Sequence, residues 1–123
     1  MISGNVTDLH AIVSVPFLLP NGSRLAIEFV VDTGFTGDLC LPAKAVSLMG
    51  LPFLYELPSR LADHSQVSLP MYDATIIWNG EERNVYVLAT GQRPLLGTAL
   101  LAGFELIIQF DEDGLVTIDP IEP

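Results

Sequence analysis

The sequence has few basic residues and no long apolar run. Lysine and arginine together number 5 against 15 aspartates and glutamates, which gives a formal net charge of −10 at pH 7. A protein that binds nucleic acid is expected to carry a basic surface, so this composition argues against nucleic acid as a partner. The acidic excess is most simply explained by solubility. The apolar runs are much shorter than the roughly 20 residues that cross a bilayer, so no membrane partner is expected.

The chain contains only one cysteine, Cys40, and therefore no internal disulfide. This fits a reducing compartment. The first residues show neither the basic segment nor the apolar segment of a secretory signal peptide. Together these observations predict a cytoplasmic protein. Neither histidine is near Cys40 in the sequence, so we expect this cysteine to be a small buried residue rather than a nucleophile. His10 is expected to lie on a strand surface without a partner.

Patterns that hold metals or phosphates are also missing. One cysteine and two histidines do not form a zinc set. The acidic run at 111–113 lacks the ligand spacing of an EF-hand loop, and no glycine-rich stretch carries the lysine of a phosphate-binding loop. We therefore expect no metal and no cofactor, and we interpret the acidic run as a solvated hairpin turn.

The length and the strand pattern predict one all-β domain. The chain has 123 residues, half of them hydrophobic, and shows no repeat or linker, so we expect a single domain over residues 1–123. A short helix is predicted at 42–50, between Pro42 and Gly50. Many short strands with little helix predict a closed or nearly closed small β-barrel. The predicted strands are 9–18, 24–31, 38–41, 55–61, 67–78, 82–89, 104–110 and 115–118.

One stretch combines the end of a buried strand with an acidic loop. Val31 leads directly into Asp32, Thr33 and Gly34. Burying a carboxylate is costly unless it is paired or protonated. A threonine hydroxyl can both donate and accept a hydrogen bond, and glycine permits close backbone approach. A carboxylate held in a tight loop at a strand end is well suited to position a water molecule.

The triplet Asp32-Thr33-Gly34 resembles the active-site loop of the retropepsin-like (clan AA) aspartic proteases, in particular their small single-domain prokaryotic members. Segment 95–97, Leu-Leu-Gly, resembles the motif that lies across the catalytic loop in that family, and 98–102 resembles the short helix that follows it. Order and spacing match over almost the whole chain. The resemblance implies the retropepsin type of small barrel and an aspartic-type endopeptidase, with Asp32, Thr33 and Gly34 as catalytic residues.

The chain carries one such triplet, whereas aspartic proteolysis needs two carboxylates. The resemblance therefore implies a homodimer in which each subunit contributes Asp32 to one shared site. A two-fold axis brings the same loop of both copies together, which is an isologous contact. In the family, the hydroxyl that corresponds to Thr33 bonds across this axis to the partner loop.

The resemblance also implies a set of residues that contact an extended peptide or protein substrate. The hairpin of strands 55–61 and 67–78 lies where the family carries its flap, the arm that closes over substrate. Family flaps usually have glycine at the tip, whereas this chain has Asp63-His64. Phe35 occupies a position where many retropepsins have alanine, and we expect it to shape a substrate pocket or the interface. The implied substrate-binding residues are Phe35, Ala62, Asp63, His64, Ser65, Leu96 and Gly97.

Two other interpretations remain open at this point. A catalytically weak or inactive dimer of the same fold could act as a peptide-binding or protein-binding module, because fold does not determine function. The replaced flap glycine favours this alternative. In a plain structural β-barrel, Asp32 would merely cap a turn.

Overall fold

The structure, a computed structural model, describes residues 1–122 and consists mainly of strands. Its ten strands are β1 (Ile2–Thr7), β2 (His10–Leu18), β3 (Arg24–Val31), β4 (Leu39–Leu41), β5 (Phe53–Arg60), β6 (Gln66–Trp78), β7 (Glu81–Ala89), β8 (Leu95–Leu96), β9 (Phe104–Ile108) and β10 (Leu115–Pro120). Its helices are α1 (Ala43–Met49) and α2 (Thr98–Leu101). The predicted all-β class is confirmed. No helix in residues 1–122 is long and apolar enough to cross a membrane.

All ten strands form one hydrogen-bonded sheet in the order β5-β6-β7-β4-β8-β3-β2-β1-β10-β9. A further pairing between β2 and β6, through Phe17 and Leu18, joins two distant parts of that order. It closes six strands into a ring: β2, β3, β8, β4, β7 and β6. The predicted small barrel is therefore present as a six-stranded ring, not a clean barrel, with extra strands at both ends. Strands β5 and β9 are the two ends of the sheet.

The alternation of side chains along the strands buries one face of the sheet in the core. In β2, Ala11, Val13, Val15 and Phe17 are all buried, each separated from the next by one more exposed residue. Successive side chains of a strand point to opposite faces, so this spacing buries one face of β2. The ring of Phe17 stacks on that of Phe29 from β3, with 6.0 Å between the ring centroids.

The parallel pairing of β3 with β8 determines where the acidic loop lies. Val30 pairs with Leu95 and Val31 with Leu96. β8 also pairs with β4 on its other side. The two-residue strand β8 thus lies between the two strands that flank loop 32–38.

The N-terminal segment differs from the prediction. The strand predictions begin at residue 9, yet β1 lies before it and pairs with both β2 and β10. Gly4 and Asn5 are poor strand formers, which explains why the pattern is weak. A Cβ at Gly4 would collide with the backbone of β2, so the glycine allows the two strands to approach. The next strand begins at His10, one residue after its predicted start. Asp8 and Leu9 form a turn with φ of 49° and 66°.

Most other boundaries agree with the prediction to within two residues. Helix α1 follows Pro42 and ends at Gly50, whose φ of 67° is left-handed and whose N–H donates to the carbonyl of Ser47. This is the glycine C-cap that the sequence indicated. β5 begins at residue 53 rather than 55, and β9 ends at residue 108 rather than 110.

Candidate active site

Asp32 follows β3 directly, and β8 fixes its backbone. The N–H of Asp32 donates to the carbonyl of Leu96 at 2.9 Å, and the N–H of Val30 donates to the carbonyl of Pro94 at 3.0 Å. These bonds continue the parallel pairing one residue beyond the strand. The position at which the Asp32 carboxylate leaves the sheet is therefore set by β8.

The loop holds one oxygen of the Asp32 carboxylate. Oδ1 accepts the N–H of Gly34 at 2.9 Å, and the Asp32 carbonyl accepts the N–H of Phe35 at 3.1 Å. This is the local turn that aspartate side chains favour. Asp32 is half-buried, whereas Thr33 and Gly34 are exposed. Among residues 1–122 nothing donates to Oδ2 of Asp32, and the Thr33 hydroxyl has no hydrogen-bond partner.

Residues 97–99 contact the loop, and of these only Gly97 belongs to segment 95–97, which the resemblance placed across it. The N–H of Gly97 donates to the carbonyl of Asp38 at 2.9 Å, and the N–H of Thr98 to that of Phe35 at 2.9 Å. A Cβ at Gly97 would collide with the carbonyl of Gly37 and lie 2.7 Å from that of Phe35. Glycine is therefore required at residue 97 for this contact. Leu96 is fully buried, so at this site it acts through its carbonyl.

The ring of Phe35 forms one wall of a cleft beside the loop. It lies so close to Gly37 that an added Cβ there would come within 2.6 Å of Cζ. The cleft has a volume of about 480 Å³. Its other apolar walls come from β4, β5, β6, β7 and α2, namely Leu39, Leu57, Met71, Tyr86, Leu88 and Ala99. The site therefore offers an apolar cavity beside the loop that follows Asp32.

Asp38 also lines this cleft, and sequence analysis did not assign it a role. Its Oδ2 accepts the N–H of Tyr86 at 3.0 Å, which joins the loop to β7. Leu57, Met71 and Tyr86 were likewise not predicted as site residues. They lie on three different strands, and only the folding of those strands against the loop brings them together.

The tip of the β5–β6 hairpin makes its hydrogen bonds within itself. Oδ1 of Asp63 accepts the N–H of Ser65 at 3.0 Å and its hydroxyl at 2.6 Å. The hydrogen bond from the hydroxyl, and to a smaller extent the one from the N–H, lowers the pKa of this exposed carboxyl below its usual 3.8. His64 adopts a φ of 67°, in the left-handed region. Ala62, Asp63, His64 and Ser65 are all exposed and do not line the cleft.

Two residues outside the loop clarify earlier expectations. His10 was expected to lack a partner, which is wrong, because its Nε2 lies 3.2 Å from NH1 of Arg93. Cys40 is buried, as expected, and its thiol donates to the carbonyl of Thr90. Burial raises the pKa of the Cys40 thiol, so the reactive thiolate is disfavoured. Among residues 1–122, no three acidic, histidine or cysteine side chains are grouped as a metal site.

Comparison with known proteins adds information about the fold. No protein-family model and no curated protein sequence matches the chain. Among solved structures, it is similar to a retropepsin-like aspartic protease from Rickettsia conorii. The TM-score is 0.56 and the identity 21%, over 99% of this chain and 92% of that one. This chain has a retropepsin-like fold.

In this retropepsin-like fold, six of the predicted site residues lie together around the loop. They are Asp32, Thr33, Gly34, Phe35, Leu96 and Gly97. The other four, at 62–65, lie at the end of the hairpin. Their contact with substrate stays a prediction.

Proposed function

We propose that this protein is an aspartic-type endopeptidase that works as a homodimer, with Asp32 of each subunit in one shared site. The observation that carries this proposal is the anchored carboxylate. Asp32 leaves β3 at a point fixed by Leu96, and Gly34 holds one of its oxygens. The fold supports the proposal, because a retropepsin-like aspartic protease is similar to this chain over 99% of its length.

The chemistry requires two carboxylates that share one proton. Two such groups about 3 Å apart cannot both ionise cheaply. The ionised carboxylate takes a proton from a water molecule, whose oxygen attacks the scissile carbonyl carbon. The protonated carboxylate hydrogen-bonds the carbonyl oxygen and stabilises the tetrahedral intermediate. When the carbon–nitrogen bond breaks, the amine leaves with a proton from the acid. This sequence requires neither a covalent intermediate nor a metal.

The second carboxylate comes from a second copy in this proposal. The chain has one Asp-Thr-Gly triplet. Thr33 and Gly34 are exposed, and the Thr33 hydroxyl has no partner within the described chain. An exposed loop with an unused hydroxyl is suited to meet its own copy across a two-fold axis. Thr33 is then the residue that links the two loops.

The cleft indicates which peptides fit. Phe35, Leu57 and Met71 give it an apolar lining, and its volume of about 480 Å³ accommodates a large side chain. Asp38 also lines the cleft, but its carboxylate already accepts the N–H of Tyr86, so the lining left for a substrate side chain is mainly apolar. We therefore propose an extended peptide substrate with a large apolar side chain near the scissile bond. The β5–β6 hairpin would cover that substrate.

A second candidate function is a peptide-binding module that does not cut. It is favoured by the hairpin tip, where Asp63 and Ser65 form a self-contained turn and His64 replaces the expected glycine. A hairpin that does not close over substrate would leave the apolar cleft able to bind peptides without hydrolysis.

The deciding experiment compares wild type with Asp32→Asn on a mixed peptide library, over a range of pH and protein concentration. Asp32→Asn keeps the size of the side chain but, because each subunit contributes Asp32, removes both ionisable groups of the shared site. The endopeptidase predicts cleavage by wild type, specific activity that rises with protein concentration, and at least a ~10³-fold loss in the variant.

Asp111→Asn is the matched control, since it makes the same change in an exposed turn. It should cut like wild type. Peptide binding without cleavage under any condition, equal in wild type and Asp32→Asn, would instead establish the binding module.

A further inference from the structure

The side chain of Asp32 leaves the sheet on the face that points away from the core. Phe29 and Val31 pack in the core, and Val30 lies between them in the strand. Successive side chains of a strand point to opposite faces. Because the N–H of Asp32 still continues the ladder to β8, its side chain shares the face of Val30. The residues around Val30 on this outer face are therefore neighbours of the Asp32 carboxylate.

A second cleft, with a volume of about 290 Å³, lies on this outer face. The antiparallel register of β2 and β3 pairs Ile12 with Val30. Continued by two residues, the same register places His10 opposite Asp32. Both Val30 and His10 line the cleft, so it lies beside the end of the strand that carries Asp32. We call it the outer cleft, and its residues used below are Asp8, His10, Glu28, Val30 and Arg93.

The side chain of Arg93 crosses β3 in the outer cleft. Arg93 lies just before β8, whereas His10 is the first residue of β2, and these two strands lie on opposite sides of β3. NH1 of Arg93 is nevertheless only 3.2 Å from Nε2 of His10. A guanidinium has donors but no acceptor, so Nε2 accepts this hydrogen bond. The bond therefore ties together the two segments that flank the end of β3 at Asp32.

Arg93 also belongs to the segment whose backbone fixes Asp32. The next residue, Pro94, accepts the N–H of Val30 at 3.0 Å, and Leu96 accepts that of Asp32 at 2.9 Å. Strand β8 has only two residues, so its own ladder with β3 is short. The bond from Arg93 to β2 gives this segment a further attachment. Loss of that bond should therefore loosen the backbone that holds Asp32.

We propose that His10 and Arg93 are positioning residues for Asp32, joined by a bond that exists only while the His10 ring is neutral. Nε2 can accept a hydrogen bond only when it carries no proton. Protonation would replace the bond with two cations 3.2 Å apart. An unperturbed histidine changes its charge near about pH 6.5, so the bond is lost in mild acid. The inference rests on the proposed function and deepens it, because it limits the activity of the shared site on the acid side.

The outer cleft also offers Arg93 an alternative partner. Among residues 1–122, no carboxylate lies within 4.0 Å of its guanidinium. The parallel register of β3 and β8, continued by two residues, places Glu28 opposite Arg93. When His10 becomes charged, the guanidinium can therefore move to Glu28, and a bond to β3 no longer reaches β2. Strand β1 has no titratable side chain. The charged groups around His10 are Arg93 before β8, Glu28 and Asp32 at β3, Asp8 in the turn before β2, and Glu112, which accepts the N–H of Asp8.

The test compares the kcat/KM of wild type and His10→Gln on one cleaved peptide, between about pH 7.5 and about pH 5. Glutamine keeps an acceptor oxygen but does not titrate. The ratio of the variant to wild type cancels the pH dependence of the two carboxylates, which both proteins share. We expect equal values at the upper pH and a ratio of about two to ten at the lower pH, the range that one hydrogen bond supports. The change should lie in kcat, because positioning acts on the chemical step.

Two further variants sharpen this test. Arg93→Met removes the donor at every pH, so its kcat should be below that of wild type at about pH 7.5 and equal to it at about pH 5. His64→Gln makes the same change in the other histidine of the chain, and its ratio to wild type should not vary with pH. A ratio that is constant for His10→Gln, or that varies equally for His64→Gln, would overturn the proposal. A change confined to KM would also overturn it, because His10 would then contact substrate.

A measurement without substrate separates this proposal from the proposed function. The N–H resonances of Val30 and Asp32, followed by NMR over the same pH range, should shift with protonation of the His10 ring in wild type. This component should be absent in His10→Gln and in Arg93→Met; its persistence in Arg93→Met would show only a nearby charge and would refute the positioning pair. The expected pattern, with no cleavage by wild type, supports the positioning pair and refutes the endopeptidase. Cleavage that depends on Asp32, with no such component in wild type, supports the endopeptidase and refutes the positioning pair.

Discussion

Two hairpin turns of this molecule share the same hydrogen bonds but differ in sequence. The first turn, residues 19–23, joins β2 to β3, and the flap turn, residues 61–65, joins β5 to β6. In each, the N–H of the first residue donates to the carbonyl of the fifth at 2.8 Å. The N–H of the fourth donates to the carbonyl of the first, at 2.9 Å in the first turn and 3.0 Å in the flap turn. Their backbones are therefore built alike.

The side chains of the two turns also make the same hydrogen bonds, although the third and fourth residues differ in identity. Oδ1 of the third residue accepts both the N–H and the hydroxyl of the fifth, a serine, and the hydroxyl distance is 2.6 Å in both turns. The third residue is Asn21 in the first turn and Asp63 in the flap turn. The fourth residue has positive φ in both, 86° for Gly22 and 67° for His64. The flap turn thus replaces a neutral acceptor with an acid and a glycine with a side chain.

This difference shows where the molecule accepts strain. A residue with a Cβ pays about 1–2 kcal/mol in the left-handed region, and histidine is among the side chains that tolerate it better than most. The first turn joins two strands of the closed ring. The flap turn ends an arm that, in the proposed function, must open and close over substrate. Left-handed strain at His64 raises the free energy of this turn, so less free energy is needed for the turn to leave this conformation.

Exchanging the fourth residues should give the largest effect, with opposite signs in the two turns. Gly22→His adds left-handed strain, and His64→Gly removes it. The greater freedom of glycine in the unfolded chain offsets about 0.4–1 kcal/mol of each change. We expect Gly22→His to lower the free energy of unfolding by about 1 kcal/mol and His64→Gly to raise it by a similar or smaller amount. Urea unfolding at one fixed protein concentration measures both.

The double variant Gly22→His/His64→Gly is the control for this exchange. The two turns lie on different hairpins, so their effects should add to a value near zero. Equal signs for the two single variants would contradict the comparison, because they would show that the left-handed residue does not limit either turn.

Replacing the fifth residue should give smaller effects that are equal in the two turns. Ser23→Ala and Ser65→Ala each remove one hydroxyl and its 2.6 Å bond, while the backbone N–H still donates to the same oxygen. Since both turns are exposed, we expect each variant to lose about 0.5 kcal/mol of unfolding free energy. A loss at Ser65 more than twice that at Ser23 would show that the charge of Asp63 strengthens the bond to the hydroxyl. Urea unfolding midpoints measured in parallel distinguish these outcomes.

The same two turns show how much of the fold could be predicted from the sequence. Asn21-Gly22 is a recognised hairpin signal, and the strand patterns on either side located the flap turn despite its unusual residues. The resemblance implied that segment 95–97 lies across the catalytic loop. In the structure the N–H of Asp32 donates to the carbonyl of Leu96, and the N–H of Gly97 donates to the carbonyl of Asp38. The strand at Ile2–Thr7 was missed, because its glycine and asparagine obscure the alternation and its stability comes from two neighbours distant in sequence.

The walls of the cleft could not be predicted for a related reason. Leu57, Met71 and Tyr86 look like ordinary strand residues in the sequence. They become part of the site only when β5, β6 and β7 pack beside loop 32–38. Local patterns thus identified the residues of the loop itself, whereas the cleft depends on tertiary packing.

Replacing the third residue of the flap turn, Asp63, should give the smallest effect on stability, and this effect should appear only in acid. Hydrogen bonds from Ser65 lower the pKa of Asp63 below its usual 3.8. The stabilisation from this group is therefore fully present above the pKa of the unfolded chain, and it is lost as pH falls through the folded pKa. Asn21 does not titrate. We expect the stability difference between wild type and Asp63→Asn to be constant above about pH 5 and to shift in favour of the variant as pH falls toward about 2.

The difference in unfolding free energy between wild type and Asp63→Asn reports the contribution of Asp63 alone, because the other 14 acidic residues are common to both. Asn21→Asp is the matched control and should give the first turn the same dependence on acid. The N–H resonance of Ser65, followed by NMR against pH, reports the turn directly and should titrate in wild type but not in Asp63→Asn. Parallel stability curves for the two proteins down to about pH 2 would show that the acid does not distinguish the turns. If the curves diverge, the flap turn loosens in acid while the first turn does not, so the arm over the proposed site gains mobility without weakening of the ring.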